Sequence, residues 1–241
     1  NLLGPDHPST LTTISNLAGL YRRRGDDDQA EAHFRRCLET RERLLGPDHP
    51  KTNNTRYRLA GLLSDQGRYQ ESIPLRRHEL DVASKYDGRN APGTLTSLND
   101  LAIDLRNVGE FEESEALFRE LLDGRQSVLD PSDFDIGRAL GGLAKTLEVA
   151  GKLEESLEFA QQALEHRFEN EGPDAWWTNR ERLDLSRILQ KLGRNTEAVH
   201  LLQELQASMA RINDPDDDDR QLICDAAELL RLIEGDQREQ T

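Results

Sequence analysis

The sequence predicts an all-α solenoid of antiparallel helix pairs. Three observations predict it. Gly25, Gly67, Gly109, Gly151, Gly193 and Gly235 recur at intervals of 42 residues, and self-similarity at such a period marks a stacked array rather than a single core. Within each copy the apolar residues follow the i, i+3, i+4, i+7 spacing of one helix face. Finally, the 241 residues are only 35% hydrophobic and 5% aromatic but 32% charged, which suits an elongated molecule with much surface.

Copy one shows the unit. Leu11, Ile14, Leu17, Ala18 and Tyr21 form the apolar face of a first helix, and Ala30, Phe34, Cys37 and Leu38 that of a second. Gly25 between them supplies the positive φ of a sharp turn. The hexapeptide LGPDHP stands at Leu3–Pro8 and again at Leu45–Pro50. Its Gly and Pro end one helix pair, and its polar residues start the next. The boundaries fall near 3–44, 45–86, 87–128, 129–170 and 171–212, with 213–241 truncated, all read as one array. Small residues recur on both helices, at Ala18, Ala60, Ala102, Ala144 and Ser186 and at Ala30, Ser72, Ser114, Ser156 and Ala198. They let the two helices approach closely.

The later copies carry departures. In copy two, Pro74 stands inside the second helix, where it should kink the chain or delay the helix start. Copy four begins PSDFD, without the usual linker, and contains GRALGG (Gly137–Gly142). No strand precedes these glycines, so they read as close helix packing rather than a phosphate loop. Copy five places Trp176 and Trp177 in the linker slot: a hydrophobic staple, with a ligand-contacting aromatic as the alternative. Thr178–Glu181 (TNRE) reads as a capping box. In copy six Glu228 replaces a small residue, as a solvating cap would. The acidic run there puts Asp214, Asp216, Asp218 and Asp225 at calcium-loop spacing. Asp219 stands where such a loop needs Gly, however, and Asp225 where it needs Glu. The run is read as an acidic helix start.

Leu17, Ala18, Tyr21, Gly25, Ala30, Phe34 and Cys37 carry the Leu, small, Tyr, Gly, Ala, Phe, small pattern of the tetratricopeptide repeat, which the sequence resembles. The period and the LGPDHP linker resemble the kinesin light chain variety. The resemblance covers nearly the whole chain. It implies a right-handed superhelix that binds an extended peptide on its concave face. It also implies a runner-up: a regulatory or oligomerisation array of a larger signalling enzyme, such as a kinase, a nucleotide-binding switch ATPase or a protease.

Charge and chemistry narrow the function. A net charge of -15 argues against nucleic acid or anionic membrane as partner. Cys37 and Cys224 form no CxxC pair and read as reduced, which suggests a cytoplasmic setting. No apolar run approaches the ~20 residues of a membrane span. The chain opens at Asn1, partway into a copy, and reads as part of a longer protein. The histidines show no metal-ligand spacing and no nucleophile–base set is arguable, so no enzyme activity, metal or cofactor is expected.

The resemblance implies that positions 2, 5, 9 and 12 of each first helix line the concave face. Of the twenty such residues in five copies, Arg22, Arg106, Arg138, Lys145, Arg180 and Arg187 are basic, and only Glu148 is acidic. Composition alone would give about three and about four. The convex side has the reverse bias, at Glu112, Glu113, Glu115, Glu154, Glu155 and Glu158. The expected ligand is therefore an acidic, extended segment, with Asn99 bonding its backbone. Ser15, Gly19, Asn99 and Ile103 do not match the clamp that resembling proteins use for EEVD tails of chaperones, so such tails should not bind. The open ends of the array should support weak self-association.

Overall fold

The structure, a computed structural model, describes Gly4, residues 6–212 and residues 214–239. Among these it shows eleven helices and no strand: α1 Pro8–Arg23, α2 Asp27–Leu45, α3 Pro50–Asp65, α4 Tyr69–Asp87, α5 Pro92–Asn107, α6 Phe111–Val128, α7 Phe134–Val149, α8 Leu153–Glu171, α9 Trp176–Lys191, α10 Asn195–Met209 and α11 Asp217–Glu239. The first helices, α1 to α9 in odd numbers, start 42 residues apart, and so do the second helices, α2 to α10 in even numbers. None is long and apolar enough to cross a membrane.

The repeated hexapeptide is a helix-start device. His7 and His49 are the N-caps of α1 and α3, and each ring Nδ1 accepts a backbone N–H, of Ser9 or Lys51, at 3.1 Å. Pro8, Pro50 and Pro92 follow at the first helical position, where a missing N–H leaves nothing unsatisfied. Copy four lacks the proline, and there Asp133 caps α7 by accepting from the Asp135 amide at 2.9 Å. Within each pair the turn glycine takes a positive φ, 76° at Gly25, with Gly67, Gly109, Gly151 and Gly193 alike.

Close approach of the two helices is visible at the small positions. The hydroxyls of Ser72, Ser114 and Ser156 on second helices donate to the carbonyls of Ala60, Ala102 and Ala144 on first helices at 3.0, 2.8 and 2.8 Å. Second helices of successive copies are joined by a recurring ion pair: Arg35 to Glu71 at 2.8 Å, and Arg77 to Glu113 and Arg119 to Glu155 in the same register. The acidic residues Glu113 and Glu155 are thus engaged between copies.

Three expectations are corrected. Pro74 does not delay its helix: α4 starts in register at Tyr69 and continues to Asp87 with Pro74 inside it. The ring is exposed and one turn in, so solvent rather than a packed neighbour lies around the interrupted ladder. The TNRE capping box does not form. α9 starts at Trp176, so Thr178 lies inside its first turn, donating to the Gly172 carbonyl at 2.8 Å. Trp176 packs on the core behind it and fixes the start in the 42-residue register. Gly235 makes no turn, because α11 runs through it. The acidic run before it is a helix start, where Asp216 and Asp219 cap each other reciprocally at 2.9 and 3.1 Å.

The helices group into two compact units, residues 1–117 and 118–241. Unit one has a core of Ala18, Ala30, Phe34, Leu38, Leu59, Leu62 and Leu63, with Cys37 fully buried and its thiol against the Leu11 carbonyl at 3.4 Å. It also holds a buried polar knot. Asp104, 0% exposed, accepts from Ser64 at 2.5 Å and Arg76 at 2.7 Å, and at 2.6 Å from Ser72, whose one hydroxyl hydrogen is shared with the Ala60 carbonyl. In unit two the core gathers Leu183, Leu185, Ile188, Leu202, Leu205, Leu222 and Ile233. The glycines of GRALGG serve packing: a Cβ on Gly142 would stand 2.4 Å from the buried Phe118 ring. Trp177 meets Phe134 edge-on at 5.6 Å, and Arg167, fully buried, lies 3.9 Å over the Phe134 ring.

Candidate interaction surface

In unit one the first helices α1, α3 and α5 bring successive copies side by side. Arg22, at the end of α1, reaches α3, where its Nε donates to Asp65 at 2.9 Å and its guanidinium lies over Gly61. Ser64 of α3 reaches Asp104 of α5 in the same way. Arg106 is half-buried in the last turn of α5. Asn99 is 3% exposed, and its amide donates to Asp100 at 3.3 Å. A ligand reaches it only if neighbouring side chains move. Asn54, Tyr57 and Thr96, also on the expected face, border a cleft of about 370 Å³ between α3, α4 and α5.

In unit two the expected cations fall into two groups and one outlier. Lys145 of α7 and Lys191 of α9 both bond the carboxylate of Glu148, at 2.6 and 2.8 Å. Glu148 is 4% exposed. Burial alone would raise its pKa, but the two ammonium groups hold it below the ordinary carboxylate range. Arg180 and Arg187 of α9 share Asp184, at 3.1 and 3.0 Å, and Arg187 also bonds Asp225 of α11 at 3.0 Å. Arg138 stays on its own first turn, 3.5 Å from Asp135. Beneath this wall the Glu181 carboxyl lies against Gly141. Burial first, and then the nearby Asp184 charge, push its pKa up to about 8.

The wall is therefore a lattice of ion pairs rather than a bare basic strip. Sequence reasoning placed the cations but missed Asp65, Asp184, Lys191 and Asp225. The spacing of Asp184 from Arg180 and Arg187, four and three residues along one helix, was a readable signal. The Arg187–Asp225 pair joins separate elements and needed the period to be found. Such a surface can exchange partners, because a ligand carboxylate can replace an internal one on the same guanidinium.

A profile described as tetratricopeptide repeat matches residues 9–73, 51–127 and 99–167. The chain belongs to the tetratricopeptide repeat family. Comparison with curated proteins gives no match. Among solved structures, the nearly identical TPR-like repeats of a kinesin light chain-type protein from Podosopora anserina superpose with a TM-score of 0.76 at 21% identity, covering 87% of this chain and 99% of that one. BtubC (BKLC) from P. vanneervenii gives 0.71 at 19% identity, covering 86% and 84%. A Rap protein complexed with Competence and Sporulation Factor gives 0.63 at 13% identity, covering 92% of this chain and 64% of that one. These likenesses establish the fold, a tetratricopeptide repeat solenoid of the kinesin light chain-like type.

In this tetratricopeptide repeat frame, Leu183 is a core residue at 0% exposure and Ser15 is buried at 3%. The nominal groove positions are thus not uniformly surface.

Proposed function

We propose that the chain is a protein-interaction scaffold that holds an extended, acidic segment of another protein along its first helices. The observation that carries this reading is the sharing of carboxylates in unit two, where Lys145 and Lys191 from successive first helices converge on Glu148. Side chains far apart in sequence thereby face one surface, as a segment spanning copies requires. The family supports the reading, as does the Rap neighbour, which was determined with a factor bound. The cations Arg180, Arg187 and Lys145 are already partly desolvated. A ligand carboxylate that displaces Asp184 or Asp225 therefore meets a guanidinium whose dehydration cost is partly met.

A display library of short peptides of varied charge, screened on the whole chain, tests this. Acidic sequences should be enriched. Joint replacement Lys145→Gln and Arg187→Gln should weaken the enriched peptides at least tenfold, about 1.4 kcal/mol. Neutral replacements are used because a glutamate at 145 would stand beside the buried Glu148. Enrichment of basic or wholly apolar sequences, or unchanged affinity in the double variant, refutes the acidic reading.

A further inference from the structure

One register position on the second helices holds Arg41 in copy one, Ala83 in copy two, Arg125 in copy three and Arg167 in copy four. Arg41 is 4% exposed and Arg125 2%. Each reaches the first turn of the next first helix. Arg41 Nη1 donates to the Lys51 carbonyl at 3.0 Å and to the Thr55 hydroxyl at 2.6 Å. Arg125 Nη1 donates at 2.6 Å to the carbonyl of Asp135, which is in register with Lys51. The array therefore has a standing use for a buried guanidinium at this position.

Copy two has no side chain to fill it. Gly93 and Ser97 are in register with Lys51 and Thr55, and beyond Ala83 the cleft of about 370 Å³ opens between α4 and the two flanking first helices. Tyr57, Glu79, Ala83, Tyr86, Gly93 and Ser97 are among its lining residues, all within unit one. A Cβ on Gly93 would meet nothing within 4 Å. Copy two differs at a second register position as well. Where copies one and three have Cys37 and Leu121, it has Glu79, 6% exposed. One carboxylate oxygen of Glu79 accepts from Ser97 at 3.0 Å. The other, Oε2, is buried and has no hydrogen-bond partner among the described residues. An unmet buried carboxylate oxygen is costly, and it persists here beside a cavity that a donor would fit.

We propose that this cleft takes an arginine side chain of the bound segment and seats its guanidinium on Glu79, Gly93 and Ser97. Copies one and three seat their own arginines on the corresponding backbone, whereas Arg167 of copy four turns to Glu171 of its own helix. A guanidinium offers five N–H donors in a plane, which matches Glu79 Oε2, the Gly93 carbonyl and the Ser97 hydroxyl oxygen as a convergent set. Tyr57 and Tyr86 give it aromatic faces. Tyr86, 55% exposed at the mouth, already has the Lys85 ammonium 5.7 Å from its ring centroid. The chain's nearby cations are committed elsewhere: Arg76 to Asp100 and Asp104, and Arg56 to Asn53 and Glu42. The inference rests on the scaffold reading above and adds one basic anchor to an otherwise acidic ligand.

The probe is N-acetyl-arginine methylamide, titrated into the full chain and followed by the amide resonances of Gly93 and Ser97. The controls are the neutral isostere N-acetyl-citrulline methylamide, and spermidine as a free organic cation. Blocked arginine should bind at least tenfold more tightly than blocked citrulline. Glu79→Gln should abolish that preference. Ala83→Arg should restore the sister arrangement, fill the cleft from within and remove binding while leaving the helical content unchanged. Equal binding of citrulline, or retained binding in Ala83→Arg, overturns the proposal, and so does tighter binding of spermidine than of blocked arginine. Arginine binding at the cleft with no acidic peptide enriched would count against the scaffold reading alone, whereas peptide capture with no arginine preference would count against the cleft alone.

Discussion

Replacing Asp104 by Ala removes the acceptor around which unit one's polar knot is tied. The carboxylate is 0% exposed and receives two hydroxyl donors and one guanidinium donor. Neutral hydrogen bonds contribute about 1 kcal/mol each, and charge-assisted ones about 1.5–3 kcal/mol. Two features lower the loss. Ser72 keeps the Ala60 carbonyl, and Arg76 keeps Asp100 at 2.9 Å. No ion is stranded, so the ~3–5 kcal/mol of a broken buried pair is not reached in full. The expected loss is about 3 kcal/mol, a large share of the ~5–15 kcal/mol that holds a typical domain folded. Urea unfolding followed by circular dichroism measures it. A double-mutant cycle with Arg76→Met isolates the pair and should return a coupling of about 1 kcal/mol or more. A loss below ~1 kcal/mol, or strict additivity in the cycle, would show that the knot is not the stabilising element inferred from its geometry.

Two further outcomes are expected. Glu181 has a pKa raised to about 8 from 4.5 in the folded chain, so the folded state holds a proton there that the unfolded chain releases. Stability is fully present below the unfolded value and falls as pH rises, by up to ~1.4 kcal/mol per pH unit until the folded pKa is passed. Glu181→Gln should flatten that slope, and an unchanged urea midpoint profile between about pH 5 and pH 8 would refute it. Gly142→Ala drives a methyl to 2.4 Å from the Phe118 ring, which is 0% exposed, and should cost about 1–3 kcal/mol. Gly61→Ala meets only the Arg22 guanidinium, at 3.3 Å, a flexible group, so the gain in helix propensity, about 1 kcal/mol or less, should prevail. The reverse order of melting temperatures would contradict this.

The sequence showed the helix registers because the period is itself a sequence property. Every first helix from Pro8 to Trp176 starts where the glycine spacing places it. What stayed hidden depends on who lies opposite. TNRE has the letters of a capping box, but the N-cap is Ala175, three residues before Thr178, with Trp176 packed on a core that the local sequence does not show. Gly235 has the right interval yet lies within α11, so the interval alone does not make a turn. The candidate wall was half legible. Arg180 and Arg187 could be read along one helix, but Asp225 became the neighbour of Arg187 only through folding. The cleft did leave a trace, in Ala83 and Glu79 interrupting two register columns.

The Arg35–Glu71, Arg77–Glu113 and Arg119–Glu155 pairs have a consequence for how such a chain changes over generations. At each of these three junctions the earlier second helix supplies the arginine and the later one the glutamate, and α4 and α6 carry both halves. Each exposed pair contributes only a few tenths of a kcal/mol up to about 1 kcal/mol, but its two halves are the same at successive junctions from copy one to copy four. Loss or duplication of one whole copy in that stretch would set an existing arginine opposite an existing glutamate at the new seam. The gene can therefore grow or shrink by complete copies without inventing a junction, and the length of the array is free to follow the length of what it must hold.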